Sequence, residues 1–349
     1  MRILIATVHV PFVFGGAELH AEQLREALIR AGHEAEIVAV PFKWYPPERI
    51  LDHMLACRLL DLSEFCGVAI DRVIGLKFPA YLIPHRSKVL WILHQYRQAY
   101  DLWDHPTLSE LKYCPQGASI RSAILEADRQ LLPEARTIFA NSRNVASRLR
   151  RFCAVEARPL YHPPPHANAF RCSDAEPFLF FPSRVTPIKR QSLVVTALAL
   201  TRSPVRVRFA GAADNPADMT AVKRQAEKEG VSNRIDWLDR ITEEEKIRLY
   251  ASAIAILYPV WDEDYGYVTL EAMLSSKPVI TCIDSGGPRE FVQSGSTGWV
   301  VDSTPEALAG AMDEAWQERA AAASMGRTAR EHYRSLGISW EHVTNSLLA

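Results

Sequence analysis

Short apolar runs rich in Val and Ile alternate with amphipathic stretches along the whole of this 349-residue chain. Parallel strands need helix-length connections between neighbours, so this alternation is the mark of parallel α/β layers. Strands are expected over 3–8, 34–40, 72–75, 88–93 and 137–140, and again over 178–183, 205–210, 235–238, 253–258 and 278–282. A helix over 17–31 turns Leu24, Ala27, Leu28 and Ala31 inward and stops at Gly32, and another opens at Pro46-Pro47. Residues 305–333 read as one Ala-rich helix, and Trp340–Leu348 as a last short one.

The pattern breaks once. His162-Pro163-Pro164-Pro165-His166 stiffens the backbone, and no apolar period resumes until Phe178. Residues 166–177 therefore read as a linker between a first domain, 1–165, and a second, 178–334. A chain of 349 residues is long for one core, which agrees. The stretch 95–117 carries Tyr96, Tyr100, Trp103 and Tyr113 without a clean period. Such a stretch inside an α/β unit usually covers a site or is poorly ordered.

Composition removes several classes of function. Apolar residues at 48% and charged residues at 23% describe an ordinary soluble globular protein. A formal net charge of −1 gives no reason to expect nucleic acid as a partner. The six cysteines contain no Cys-x-x-Cys pair, which argues against a zinc site or disulfide framework and fits a reducing compartment. The apolar run 3–8 is too short to span a membrane and lacks a small-residue cleavage site, so a cytoplasmic protein is expected.

The chemistry concentrates in Trp261-Asp262-Glu263-Asp264-Tyr265-Gly266-Tyr267-Val268-Thr269-Leu270-Glu271. An apolar strand leads into a Tyr-Gly-Tyr turn that opens a helix, and the N–H groups at a helix start favour anions such as phosphate. Glu263 and Glu271 flank the turn, and each carboxylate can accept hydrogen bonds from hydroxyls. A phosphate between two groups of hydroxyls describes a nucleotide sugar. Further upstream, Pro182-Ser183-Arg184-Val185-Thr186-Pro187-Ile188-Lys189-Arg190 lies at the end of a strand, where open parallel sheets bind ligands. Arg184 and Lys189 there are suited to neutralising a diphosphate.

Arg184 with Lys189, the Glu263-x7-Glu271 spacing, and Ser285-Gly286-Gly287-Pro288-Arg289-Glu290 followed by Gly298 resemble the retaining GT-B glycosyltransferases of family 4, the glycosyl transferases group 1 type. Gly15-Gly16-Ala17-Glu18, His94 and Ala140-Asn141-Ser142 agree with it in the first half. The likeness is strongest over 178–301 and weak over 41–87 and 95–130.

The resemblance implies two Rossmann-like domains facing a central cleft, with a last helix, about 335–349, packing back on the first. It assigns Arg184 and Lys189 to the donor diphosphate, Glu263 to the hydroxyls of the transferred sugar and Glu271 to those of the ribose. Backbone amides of Tyr265, Gly266, Tyr267, Val268, Thr269 and Leu270 would reach sugar and phosphates. Gly15 and Gly16 would let the first loop approach the diphosphate, His94 would face the sugar, and Arg240 and Ile241 would meet the base. The implied donor is a UDP-, GDP- or ADP-sugar, and the acceptor a glycan, a lipid-linked molecule or a small molecule. No cofactor or metal is implied.

Several signals also have plainer readings. Asp262-Glu263-Asp264 mimics an Asp-x-Asp metal site, but two cations already supply positive charge, and a solvated acidic loop is the preferred reading. His9, His20, His33, His162 and His166 lack ligand spacing and read as structural. Glu18 and Ser142 read as helix caps. Arg136, Arg143, Arg148, Arg150, Arg151 and Arg158 form a charge run that would suit peripheral contact with an anionic membrane, though a wet helix face is the commoner meaning.

Two other functions stay open: a nucleotide-sugar 2-epimerase on the same fold, and an inactive donor-binding homologue that assists a partner enzyme. A nicotinamide dehydrogenase fits poorly, because Gly15-Gly16 is not a Gly-x-Gly-x-x-Gly turn. If the cations do the work of a metal, excess EDTA leaves the transfer rate unchanged. A large loss restored by Mn would return Asp262-Glu263-Asp264 to the metal reading.

Overall fold

The computed structural model describes residues 1–12 and 15–349. The chain divides into two compact units, Met1–Pro165 with Ser339–Ala349, and His166–Ile338.

In the first unit the chain forms β1 (Arg2–His9), α1 (Gly16–Arg30), β2 (Glu34–Pro41) and α2 (Arg49–Leu59). A two-residue hairpin, β3 (Glu64–Phe65) with β4 (Val68–Ala69), precedes β5 (Arg72–Gly75) and β6 (Lys88–Ile92). Next come α3 (Gly117–Leu131), β7 (Thr137–Ala140), α4 (Arg143–Cys153) and β8 (Arg158–Pro159). The main sheet is parallel throughout, in the order β2-β1-β5-β6-β7-β8. Central strands β5 and β6 are buried at every residue, as expected where helices cover both faces of a parallel sheet. The hairpin and β8 are too short for apolar period to reveal them.

The stretch 95–117 is ordered and contributes to the core. Tyr100, Trp103 and Leu111 are buried, held by short 3-10 turns at Arg97–Ala99 and Leu111–Tyr113. It lacks period because those turns place apolar side chains at neither helical nor strand spacing.

The second unit carries β9 (Leu179–Pro182), α5 (Gln191–Leu200), β10 (Val207–Ala210), α6 (Pro216–Lys228), β11 (Ile235–Trp237) and α7 (Glu243–Ser252). It continues with β12 (Ile256–Leu257), α8 (Tyr267–Leu274), β13 (Val279–Cys282), β14 (Gly298–Val301), α9 (Pro305–Gln317) and α10 (Arg319–Ser335). Its parallel sheet runs β11-β10-β9-β12-β13-β14, the doubly wound order in which the first strand lies beside the fourth. The expected strand 253–258 is formally only Ile256–Leu257, though backbone bonds from Ile254 to Phe178 and from Tyr258 to Ile280 carry the pairing further. Strand β14 hides behind Ser294-Gly295-Ser296-Thr297-Gly298, which reads as loop. Gly298 is required there because a Cβ would lie 2.2 Å from the Val279 carbonyl oxygen.

Other boundaries also differ from those expected. Residues 166–177 belong to the second unit: Phe170 is buried in its core, and the Ser173 and Glu176 N–H groups donate to the Ala251 and Ser252 carbonyls at 3.0 and 2.8 Å. The expected helix 305–333 is two helices, broken at Glu318 with ψ of 54°. Helix α10 then lies against the turn after α8, where Gly326 leaves a gap that a Cβ would fill 2.0 Å from the Ser276 carbonyl oxygen. Helix α2 starts at Arg49, past Pro46-Pro47.

The last helix, α11 (Trp340–Leu348), is capped by the Ser339 hydroxyl and packs on the first unit. Val343 and Leu347 join Ile3, Ile5 and Leu24 in its core, and Arg72 donates to the Leu347 carbonyl at 2.6 Å. Beside them His20 Nδ1 meets His162 Nε2 at 2.7 Å, both rings buried among Trp91 and Trp340. Burial pushes the His20 pKa down to about 3, and burial with the neighbouring His20 pushes that of His162 well down.

The sign follows from linkage. Below pH ~6.5 the unfolded chain binds protons at these histidines that the folded chain refuses, so their contribution to stability is lost as pH falls from there. For His20 the loss runs down to about pH 3. The limiting slope is about 1.4 kcal/mol per pH unit per histidine. The urea-unfolding difference between wild type and His20→Gln should therefore shrink steadily from pH 7 to pH 4.5. A constant difference would show that the buried ring is not neutral.

Candidate active site

The order of the second sheet reverses between β9 and β12, and ligands of doubly wound sheets bind beyond the carboxyl ends of strands at such a point. The loop leaving β9 passes through a 3-10 turn, Pro187–Lys189, and the loop leaving β12 runs from Pro259 to Gly266. The Trp261 N–H donates to the Ile188 carbonyl at 2.9 Å and joins the two. Lys189 Nζ forms an ion pair with the Glu263 carboxylate and lies 3.4 Å from the Tyr258 hydroxyl, with both charged side chains largely buried. Burial, with the negative charge of Glu263, holds the Tyr258 hydroxyl far above its ordinary pKa, so it stays protonated.

A second pair of loops is sewn together backbone to backbone. Asp262 and Glu263 N–H donate to the Asp284 and Ser285 carbonyls at 2.8 and 2.9 Å, and Gly287 N–H returns to the Glu263 carbonyl at 2.8 Å. The approach is so close that a Cβ on Gly287 would lie 2.6 Å from the Tyr265 carbonyl oxygen. Gly266, at φ +87°, turns the chain into α8 under Pro288 and Tyr258. Arg190 braces the arrangement through two hydrogen bonds to the Asp284 carboxylate, at 2.8 and 2.7 Å. Burial opposes the ionised form of Asp284, but hydrogen bonds from Arg190 and Ser303 and the Arg190 charge outweigh it and lower its pKa. Arg190 and Asp284 were not among the expected site residues; a fork-to-carboxylate pair 94 positions apart leaves no local signal.

Helix α8 presents its first-turn N–H groups beside this cradle, although Thr269 N–H already donates to the Gly266 carbonyl at 3.0 Å. Tyr265, Thr269 and Leu270 are buried and Val268 half-buried, so their side chains serve packing. Tyr265 meets Tyr267 and Phe291 edge to face, each at 5.7 Å between ring centres.

One turn on, Glu271 is 4% exposed. Lys246 Nζ reaches one of its oxygens at 3.0 Å, and the Tyr250 hydroxyl donates to the other at 2.6 Å. Burial alone would depress the Lys246 pKa, but Glu271 and Glu243 outweigh it and raise it. Lys246 and Tyr250 also escaped the sequence reading. Their spacing of four on α7 puts them on one helix face, the only hint available.

Arg184 lies elsewhere. It is exposed, and its Nη1 lies 2.9 and 2.7 Å from the two carboxylate oxygens of Asp214. The cause is local: Val185 N–H donates to the Ala212 carbonyl at 3.1 Å, drawing this part of the loop toward the end of β10 and away from Lys189. Arg240 is exposed and Ile241 half-buried after β11, where Gly211 N–H donates to the Asp239 carbonyl at 2.6 Å.

Gly15, Gly16 and His94 belong to the first unit. Gly15 N–H donates to Glu18 Oε2 at 2.9 Å, so Glu18 caps α1, and the Ser142 hydroxyl accepts from Val145 N–H to cap α4. His94, half-buried just past β6, holds Nδ1 2.7 Å from the Gln95 carbonyl oxygen. Arg143, Arg150, Arg151 and Arg158 are exposed, but Arg148 is buried, so the arginine run does not form one continuous face.

Residues 167–332, which include every candidate site residue of the second unit, match the family of glycosyl transferases group 1. This segment belongs to that family. The D-inositol 3-phosphate glycosyltransferase of Nocardia farcinica is 27% identical over 243 residues, covering 63% of this chain and 53% of that protein. The chain thus spans about half the length of the curated relatives it matches, and less for some. Among solved structures, sucrose-phosphate synthase from Thermosynechococcus elongatus superposes with a TM-score of 0.77 at 16% identity, covering 99% of this chain and 98% of that one. Anabaena Alr3699/HepE in complex with UDP-glucose superposes at 0.73, also at 16% identity, covering 100% and 98%. Identities this low establish the fold, which is GT-B.

The two kinds of ion pair predict different costs. Lys246→Met leaves a buried carboxylate unpaired and should destabilise by about 3 kcal/mol, most of it recovered by adding Glu271→Gln. Arg184→Ala, at an exposed pair, should cost less than about 1 kcal/mol. Urea unfolding of the three variants checks both.

Proposed function

We propose that this chain is a retaining glycosyltransferase that moves a sugar from a nucleoside-diphosphate sugar to a hydroxyl of a glycan, glycolipid or small-molecule acceptor. The observation that carries the reading is the arrangement around α8. A lysine–glutamate pair stands on either side of an anion-favouring helix start, inside a segment that belongs to the glycosyl transferases group 1. The Anabaena neighbour, whose structure holds UDP-glucose, supports a nucleotide sugar as the donor class.

In this reading the donor diphosphate lies over the start of α8. Lys189 exchanges part of its pairing with Glu263 for the phosphate, and the carboxylate so released accepts hydroxyls of the transferred sugar. Glu271, oriented by Lys246 and Tyr250, retains acceptor capacity for the ribose hydroxyls. Arg184 can reach the donor only by leaving Asp214, an exposed exchange worth about 1 kcal/mol or less.

As the bond from the anomeric carbon to the phosphate oxygen breaks, its electron pair passes to the departing diphosphate. Lys189 and the helix start stabilise that charge. The acceptor oxygen forms the new bond on the same face, and its proton passes to the leaving phosphate oxygen. Charge stabilisation by cations and main-chain N–H groups takes the place of a metal, and no enzyme nucleophile is called for.

A thermal-shift series with UDP, GDP, ADP and their hexose conjugates tests the donor class, since a bound ligand raises the melting temperature by mass action. One base should stand out. Glu271→Ala should abolish that shift, Glu263→Ala should keep it while impairing turnover, and Lys189→Met should lower kcat about 30- to 1,000-fold, the equivalent of ~2–4 kcal/mol. No shift with any nucleotide, or wild-type kinetics from Lys189→Met, would overturn the reading.

A further inference from the structure

We propose that the buried carboxylate of Asp128 is a positioning group for His94, acting through a directed relay of side chains that ends at Gln95. The inference rests on the reading of His94 as a site residue, and it concerns groups that no step of the proposed reaction uses.

Asp128 lies on α3 with no exposed surface, yet it is surrounded by hydrogen-bond donors. The Tyr100 hydroxyl donates to Oδ2 at 2.7 Å, and the Tyr81 hydroxyl lies 2.9 and 3.0 Å from the two oxygens. Behind Tyr100 the Cys153 thiol lies 3.5 Å from the phenol oxygen, and Gln95 Nε2 lies 2.8 Å from the Cys153 sulfur. The donors can therefore point one way: Gln95 N–H to sulfur, S–H to the Tyr100 oxygen, and Tyr100 O–H to the carboxylate. An oxygen that accepts without donating terminates such a series, and the Asp128 carboxyl oxygen facing Tyr100 is that acceptor. All four groups are buried, so no solvent competes for these bonds.

The far end matters because Gln95 follows His94. The Gln95 carbonyl lies 2.7 Å from His94 Nδ1, so Nδ1 carries a proton, and the tautomer this selects has Nε2 as its acceptor. Anchoring the Gln95 side chain fixes its backbone, and with it the tautomer and orientation of the imidazole. A carboxyl group inside an aromatic core is expensive relative to an apolar residue. Burial does push its pKa up to about 7 against the hydrogen bonds from Tyr100 and Tyr81. A purely structural core would be more stable without it. Orienting a reactive ring is a function that can offset the penalty.

The test uses the full chain and two readouts. Ring 1H–15N correlation spectra, with the His94 signal assigned by its loss in His94→Gln, report the tautomer; steady-state transfer kinetics report the consequence. Asp128→Leu, which removes the acceptor, and Cys153→Ala should mix the tautomers of His94 and lower kcat roughly ten- to a hundredfold, the cost of a misplaced group at the site, with donor KM little changed. Cys153→Ser, which restores a donor and an acceptor, should recover most of that loss. If Asp128→Leu only lowers the melting temperature, leaving the His94 resonances and kcat at wild-type values, the carboxyl group is structural and the proposal fails. Should Asp128→Leu not fold, the contrast between Cys153→Ala and Cys153→Ser decides, equal behaviour of the two counting against the relay. Full activity in His94→Gln would sink the role of His94 itself, while the tautomer spectra would still judge the relay.

Discussion

The candidate donor site hangs on three backbone hydrogen bonds between the loop after β12 and the loop after β13, from Asp262 to Asp284, Glu263 to Ser285 and Gly287 to Glu263. Main-chain bonds of this kind leave little freedom, so the Glu263 side chain projects from a fixed base. Room for them exists only because Gly287 has no side chain and Gly266 accepts a left-handed backbone. The Arg190–Asp284 pair then locks the same two loops from the side. Replacing any of these with flexible contacts would let the Glu263 carboxylate drift from Lys189. A site placed this way is preorganised in the sense that matters for charge stabilisation, because its groups need not reorganise when charge develops.

Charge in this unit is handled in two ways, and burial decides which. At the exposed Arg184–Asp214 pair water screens both groups, and the pair is cheap to exchange. At Glu271 water is excluded, and Lys246 and Tyr250 supply the hydrogen bonds that water cannot. Lys189 with Glu263 is intermediate, with side chains 14% and 23% exposed. That pair is neither fully screened by water nor sealed from it. In the first unit two sets of buried polar groups are likewise joined to one another, His20 with His162 and Asp128 with its tyrosines.

Much of the second unit is readable in one dimension because parallel strands buried on both faces are continuous apolar runs, and Leu179–Pro182 and Val279–Cys282 are of that kind. Elements without such runs escape. Strand β14 begins in a Ser-Gly stretch, Phe170 is a single anchor in an otherwise polar segment, and the break at Glu318 interrupts an Ala-rich run that local propensity would continue. The irregular stretch 95–117 shows that a lack of period need not mean poor order: Tyr100 and Trp103 are core residues placed by 3-10 turns.

For the candidate site the division is sharper. Lys189, Glu263 and Glu271 are candidates from sequence because Lys189 lies in the loop after a strand and the two glutamates flank a helix start, where local chemistry and chain direction narrow the role of a charge. The sequence also determined where the glycines and prolines must turn the chain, and so the order of strands and helices. Which charges meet was decided in three dimensions. Arg184 turns to Asp214, Lys246 rises to Glu271 and Arg190 clamps Asp284, each across a separation no periodicity spans. The physical reason is that an ion pair depends on distance and on the exclusion of water, and both are properties of the packed chain.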